Sequence, residues 1–179
     1  PAIGDRLGEA NVRCALGDLA LAEGDASEAF THYGAALEIY SAIHSQLGIG
    51  AALGSMGRAA AAAGQQAQAV LLHEQSLAVH RGIGERLGQA WNLNGQGAAL
   101  LALGLHQAAF GAWWQARALA RAIGLPLAAR LDQAFAQIGQ EQGQEAYQAL
   151  IAALDVQAEA WRLEAVATLR QEHEQSQAE

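Results

Sequence analysis

The pentapeptide GDRLG at residues 4–8 returns as HSQLG at 44–48, as GERLG at 84–88 and, reduced, as GLPLA at 124–128. A return every 40 residues decides the fold, because such a chain stacks copies of one supersecondary unit. Working outward, Leu7, Leu47, Leu87 and Leu127 share one column, and Gly8, Gly48, Gly88 and Ala128 the next. Gly17, Gly57 and Gly97 follow, then Gly24, Gly64 and Gly104, then Ala29, Ala69, Ala109 and Ala149. Ile43, Ile83 and Ile123 close the first three units, and the fourth keeps only the leucine, the alanine and some of the spacing.

Within each unit the glycine at 24, 64 or 104 separates two stretches of helical periodicity, rich in the strong helix formers Ala and Leu. The only prolines are Pro1 and Pro126, so helices run without interruption. Asp25, three residues before Glu28, reads as the cap and capping box of a second helix. Each unit is therefore expected to be a hairpin of helix A, a glycine turn and helix B. The expected units are 4–43, 44–83, 84–123 and 124–163, eight helices of which the last continues through Trp161, Val166 and Leu169 as a cap, with the capping helix and tail over 164–179. The tail from Gln171 to Glu179 loses its apolar pattern and is expected to fray. Gly17 and Ala29 are expected to face each other where the two helices cross, flanked by Leu16, Tyr33 and Leu37. One hairpin cannot bury its remaining apolar face alone, so units stack.

Gly17 with Ala29, Ala20, Gly24 at the turn and an aromatic at Tyr33 or Trp113 resemble the tetratricopeptide repeat signature. The usual repeat is about 34 residues long. The 40-residue form opening on GDRLG or GERLG resembles the Pins/LGN-like subclass, also widespread in bacteria. The resemblance covers residues 4 to about 163. It implies an all-α, right-handed superhelical solenoid of about four hairpins with a C-terminal capping helix, forming a single array over residues 1–179. It further implies a scaffold that binds a protein or peptide in its concave groove. Other uses of such arrays are as effector-sensing segments of signalling ATPases or transcription regulators, and as self-assembling modules that stack end repeats into homo-oligomers.

In this family one stripe of helix A lines the groove, and residues spaced by three and four share a helical face. That stripe contains Asn11, Cys14, Asp18 and Leu21, then Ala51, Gly54, Arg58 and Ala61, then Trp91, Asn94, Ala98 and Leu101, and finally Leu131, Ala134, Ile138 and Glu141. The candidate peptide-binding residues are Asn11, Asp18, Arg58, Trp91, Asn94, Ala98, Leu131 and Ile138. Asparagine both donates and accepts, so it suits an extended backbone. Arg58 suits a carboxylate, or pairs with Asp18 one unit away. Trp91 suits an apolar anchor. Relatives that hold a chaperone's C-terminal carboxylate use a clamp of Lys, Arg and Asn; this chain has no lysine, and that clamp is not expected. Trp114 shares a column with Gly34 and Glu74 and is the candidate for contact on the convex face, or lies flat on a neighbouring helix.

The remaining composition narrows the function. The net charge is −8, against the basic surface a general nucleic-acid binder needs. Between Glu85 and Asp132 no acid occurs while Arg86, Arg117, Arg121 and Arg130 do, a possible anion-attracting band. Ten arginines without one lysine, among much Ala and Gly, read as a bacterial GC-rich coding bias. The apolar run from Ala98 to Leu103 is too short for a bilayer, and no signal segment opens the chain, so a cytoplasmic protein without membrane contact is expected. A chain opening at Pro1 without methionine reads as a piece of a longer protein. Cys14 is the lone cysteine and no base is evident beside it. The six histidines are scattered without metal-ligand spacing, and the glycines follow the repeat rather than a phosphate-binding loop. Catalysis, metal and cofactor are accordingly not expected.

Overall fold

The computed structural model describes residues 3–178; Pro1, Ala2 and Glu179, including the expectations attached to them, lie outside the described residues. Among the described residues there are eight α-helices and no strand. They are α1 (Ile3–Ala22), α2 (Ala26–Ala42), α3 (Gln46–Ala62), α4 (Gln66–Gly82), α5 (Arg86–Ala102), α6 (His106–Ala122), α7 (Leu127–Gln142) and α8 (Gln144–Ala178). Each packs on the next, which gives a tetratricopeptide-like solenoid in which α1, α3, α5 and α7 are the A helices.

The turns follow the repeat. Gly24, Gly64 and Gly104 have φ of 89°, 78° and 77°, a left-handed conformation that side chains resist. Asp25 caps α2 by accepting from the Glu28 backbone N–H at 2.8 Å. The reciprocal half of the expected box is unused, because the Asp25 N–H already donates to the Ala20 carbonyl. Between units the same left-handed role falls on Gly84 and Gly124, and on His44 at φ 56°, the only non-glycine with positive φ among the described residues.

The expected crossing of Gly17 on Ala29 needs correction. A methyl added to Gly17 would lie 2.6 Å from the Tyr33 ring, one on Gly57 2.9 Å from His73, and one on Gly97 2.6 Å from Trp113. Glycine thus admits a flat ring from helix B of its own hairpin. Ala29, Ala69 and Ala109 are fully buried, whereas Leu16 is 41% exposed and flanks nothing. A second column works between units, where Gly48 receives the Tyr40 ring and Gly88 that of His80. Each helix A of the first three units therefore carries one seat in this column for its own helix B. In units two and three it also carries one for the helix B before it.

The fourth unit departs from this pattern. Gln137 and Ala153 stand in the columns of Gly97 and Trp113, and the hairpin closes on another pair near its turn, where a methyl added to Gly139 would lie 2.9 Å from the Tyr147 ring. Beyond it helix α8 runs along α6, where Gly111 lets the Ala158 backbone approach, and reaches back to α4. No such approach joins α2 to α4 or α4 to α6 among the described residues. Arg162, fully buried, pairs with Glu74 of α4 and donates to Gln96 Oε1 of α5 at 3.1 Å. The expected boundary at 164 is absent because α8 is one helix of 35 residues. Nor does the described part of the tail fray: residues 171–178 stay helical, exposed and free of breakers.

Candidate functional site

The predicted groove stripe divides into two halves with different chemistry. On α1 and α3 its polar groups are already engaged. Tyr33 donates to Asp18 Oδ1 at 2.7 Å, and Arg58 reaches the same oxygen at 2.8 Å and Ser55 Oγ at 3.1 Å. Burial, then the bond to Asp18, hold the Tyr33 phenol well above its ordinary pKa, so it remains a donor. Tyr40 donates to Asn11 Oδ1 at 2.7 Å, and its pKa is pushed up to about 12, chiefly by burial. Cys14 Sγ lies 3.7 Å from the same hydroxyl; burial leads in raising its pKa, which opposes the thiolate a nucleophile needs. Arg58 therefore pairs with Asp18 rather than standing ready for a carboxylate, although both remain more than half exposed.

On α5 and α7 the stripe opens into a cavity. α1 approaches α3, and α3 approaches α5, but α5 and α7 do not come together. The gap holds about 220 Å³, with Asn94 and Ala98 on one wall and Leu131, Ala134 and Ile138 on the other. Trp113, Phe135 and Leu127 complete it, and Arg130 stands at its edge. The Trp113 indole N–H donates to the Asn94 backbone carbonyl at 3.2 Å, which holds the ring against Gly97. Leu131, 6% exposed, is floor rather than rim. Trp91 stands 46% exposed one turn before Asn94 on α5.

Four of the predicted residues, Asn94, Ala98, Leu131 and Ile138, thus meet in one cavity, while Asp18 and Arg58 are tied together with Tyr33, and Asn11 is engaged separately by Tyr40. Sequence reasoning missed Trp113, Phe135 and Arg130 as lining. Two of them had a signal, since Phe135 and Arg130 replace small residues in their columns (Ala15, Ser55, Gly95; and Ala10, Gly50, Ala90).

Trp114 is corrected as a convex contact. It packs edge-on against Phe135 with centroids 5.3 Å apart, donates to Asp155 of α8 at 3.1 Å, and carries the Arg117 guanidinium 4.4 Å from its ring. Helix α8 has taken the place of a partner there. The acid-free band is also smaller than expected. Asp132, just beyond it, is clasped by Arg117 and by Arg121 at 2.7 Å. Burial pushes the Asp132 carboxyl up, but both arginines outweigh it and the pKa falls below its ordinary value. Arg130 has no ion-pair partner among the described residues.

A wider cleft of about 690 Å³ lies elsewhere, between the α5–α6 turn and α8, lined by Leu105, Trp161, Leu169, Glu164 and Glu172. It shares no residue with the helix A stripe. Among the described residues no group of three or more His, Cys, Asp or Glu could hold a metal ion. No described helix is long and apolar enough to cross a membrane.

Comparison with known families matches the tetratricopeptide repeat to residues 7–82, the first two units. No curated protein matches the chain.

Proposed function

We propose that the chain is a polypeptide-binding scaffold whose anchoring site is the gap between α5 and α7. Tetratricopeptide arrays are interaction modules with extended concave surfaces, and residues 7–82 carry the repeat. The observation behind the reading is the separation of α5 from α7, which leaves an apolar cavity in line with the groove stripe. A bound segment places an apolar side chain between Ala98, Leu131 and Ile138. Its backbone lies against the Asn94 amide, and Trp91 covers it from solvent. Arg130 at the edge favours an acidic flank or a terminal carboxylate. The first two units contribute stiffness, since their groove groups are tied to one another.

Linear peptides selected from a phage-displayed library on the full 179-residue chain test this. Ala98→Glu, at an exposed position, should abolish binding of the selected peptides, and Trp91→Ala or Asn94→Ala should weaken it by about tenfold or more with helicity unchanged. Selected peptides that bind all three variants as tightly as the parent protein would place recognition elsewhere.

A further inference from the structure

The turn between α5 and α6 departs from its repeat equivalents. Gly104 is flanked by Leu103 and Leu105, where the first unit has Glu23 and Asp25 and the second Ala63 and Gln65. Asp25 caps α2 by accepting from the Glu28 N–H, whereas Leu105 leaves α6 with no side-chain cap. Both leucines stay 37% exposed, so burial in the array does not account for the exchange. They border the cleft of about 690 Å³ against α8, whose other wall carries Trp161, Glu164 and Glu172. Unlike Trp113 and Trp114, Trp161 donates its indole N–H to nothing among the described residues. Glu164 and Glu172 have no ion-pair partner among the described residues, and no arginine lines the cleft. Their separation along α8 is about 12 Å at the helical rise per residue.

Apolar walls beside two unpaired carboxylates call for a ligand that is both apolar and cationic. The space falls within the range of about 300–1,000 Å³ usual for ligand sites. We propose that this cleft is a second binding site, for an extended segment of another polypeptide with the run basic–x–apolar–x–basic. In an extended chain alternate side chains share a face, and four residues span about 13 Å. Two basic side chains then reach Glu164 and Glu172, while the apolar one between them enters against Leu103, Leu105 and Trp161. Charge complementarity favours such a partner over a second copy, whose net charge of −8 would meet an acidic rim. The cleft shares no residue with the α5–α7 cavity, and the inference does not depend on it.

The probes are end-blocked, fluorescein-labelled peptides Ser-Arg-Ser-X-Ser-Arg-Ser, with X as Leu, Met or Phe, titrated with the full chain in fluorescence anisotropy. At least one should bind saturably, and its counterpart with glutamate for both arginines should not. Leu105→Asp should weaken binding by about tenfold or more without lowering the melting temperature, because it restores the cap that Asp25 provides in the first unit. Glu164→Gln with Glu172→Gln should weaken it similarly and remove most of its salt dependence. Both glutamates are exposed, so the fold should hold, and Ala98→Glu in the groove should leave this binding unchanged. Absence of binding by every probe, or binding indifferent to Leu105→Asp and to the double variant, overturns the inference. So does self-association in light scattering that Leu105→Asp abolishes, because the occupant is then a second copy.

Discussion

The first three units and the fourth solve the same packing problem with different chemistry. In the former, helix B is seated by a flat ring on a glycine: Tyr33 on Gly17, His73 on Gly57, Trp113 on Gly97. Such a seat brings two helices close, excludes water and requires no charge. In the fourth unit both columns are lost, the Tyr147 ring sits on Gly139 close to the turn instead, and beyond it α8 leaves its hairpin partner to lie across α6 and α4. There it is held by Val166 and Leu169, buried in the main apolar cluster, and by Arg162 on Glu74 and Gln96. The contrast teaches that the repeat's regularity resides in a pair of complementary columns. Where the pair fails the helix survives, but it goes wherever else its apolar face can be buried. In the same unit α7 stands apart from α5, and the cavity lies between them.

The most damaging way to break that contrast is to remove the charge that holds α8. Arg162 is fully buried, and two of its guanidinium nitrogens, Nε and one Nη, have no hydrogen-bond partner. Arg162→Met strands Glu74 in a site only 13% open to water, a loss of about 3–5 kcal/mol expected for half a buried ion pair. Hydrogen exchange should accelerate over residues 154–169 while α1 to α3 keep their protection. The double variant Arg162→Met with Glu74→Leu should recover part of the loss in urea denaturation, since no charge is left stranded, while the buried Gln96 amide keeps only its bond to the Val70 carbonyl. A double variant as weak as the single one would assign the docking of α8 to the ion pair itself.

A smaller effect compares two copies of one column. In Gly48→Ala the new methyl collides with the Tyr40 ring, and overpacking of this kind costs about 1–3 kcal/mol. In Gly8→Ala the same change meets open space in an exposed helix, where alanine exceeds glycine by about 0.5–1 kcal/mol. One substitution should lower the melting temperature and its repeat equivalent should raise it. Equal signs would mean that the column does not act through the ring.

These contrasts also mark how far the sequence was legible. The period, the eight helices and the turn glycines were readable because columns of glycine and alanine recur independently of what they touch. The partner of Gly17 was misjudged: spacing along two helices does not tell whether Ala29 or Tyr33 lies opposite, and only the crossing geometry does. Four residues of the α5–α7 cavity, Asn94, Ala98, Leu131 and Ile138, were already on the predicted stripe, because a helix face follows from periodicity. Phe135 and Arg130 were overlooked although each breaks a column of small residues, and a broken column is where a repeat acquires something of its own. The path of α8 was not readable, since Arg162 and Glu74 look like any pair of surface charges 88 residues apart. Residues 171–178 remain helical although they carry no large apolar side chain, because no glycine or proline among them stops the helix.

The smallest test asks whether the ring column tolerates a titratable member. Tyr33 and Trp113 carry no charge near neutrality, but His73 sits 3% exposed between Gly57 and Gly95, with its Nδ1 3.0 Å from Asn92 Oδ1. Burial chiefly, and Arg58 from α3, lower its pKa, while the bond to Asn92 from α5 opposes them in part. With the folded value below the unfolded one, the unfolded chain takes up a proton first as pH falls. Stability supplied by neutral His73 is thus complete above about pH 6.5 and declines below it. The decline can be no steeper than about 1.4 kcal/mol per pH unit, and it ends at the folded pKa, below which both states carry the proton. Urea midpoints between pH 7.5 and 5 should therefore drop, and His73→Phe should flatten that slope even if it lowers stability throughout. An unchanged slope in His73→Phe would mean that other groups set the acid response, and that the middle unit holds its ring as passively as the two beside it.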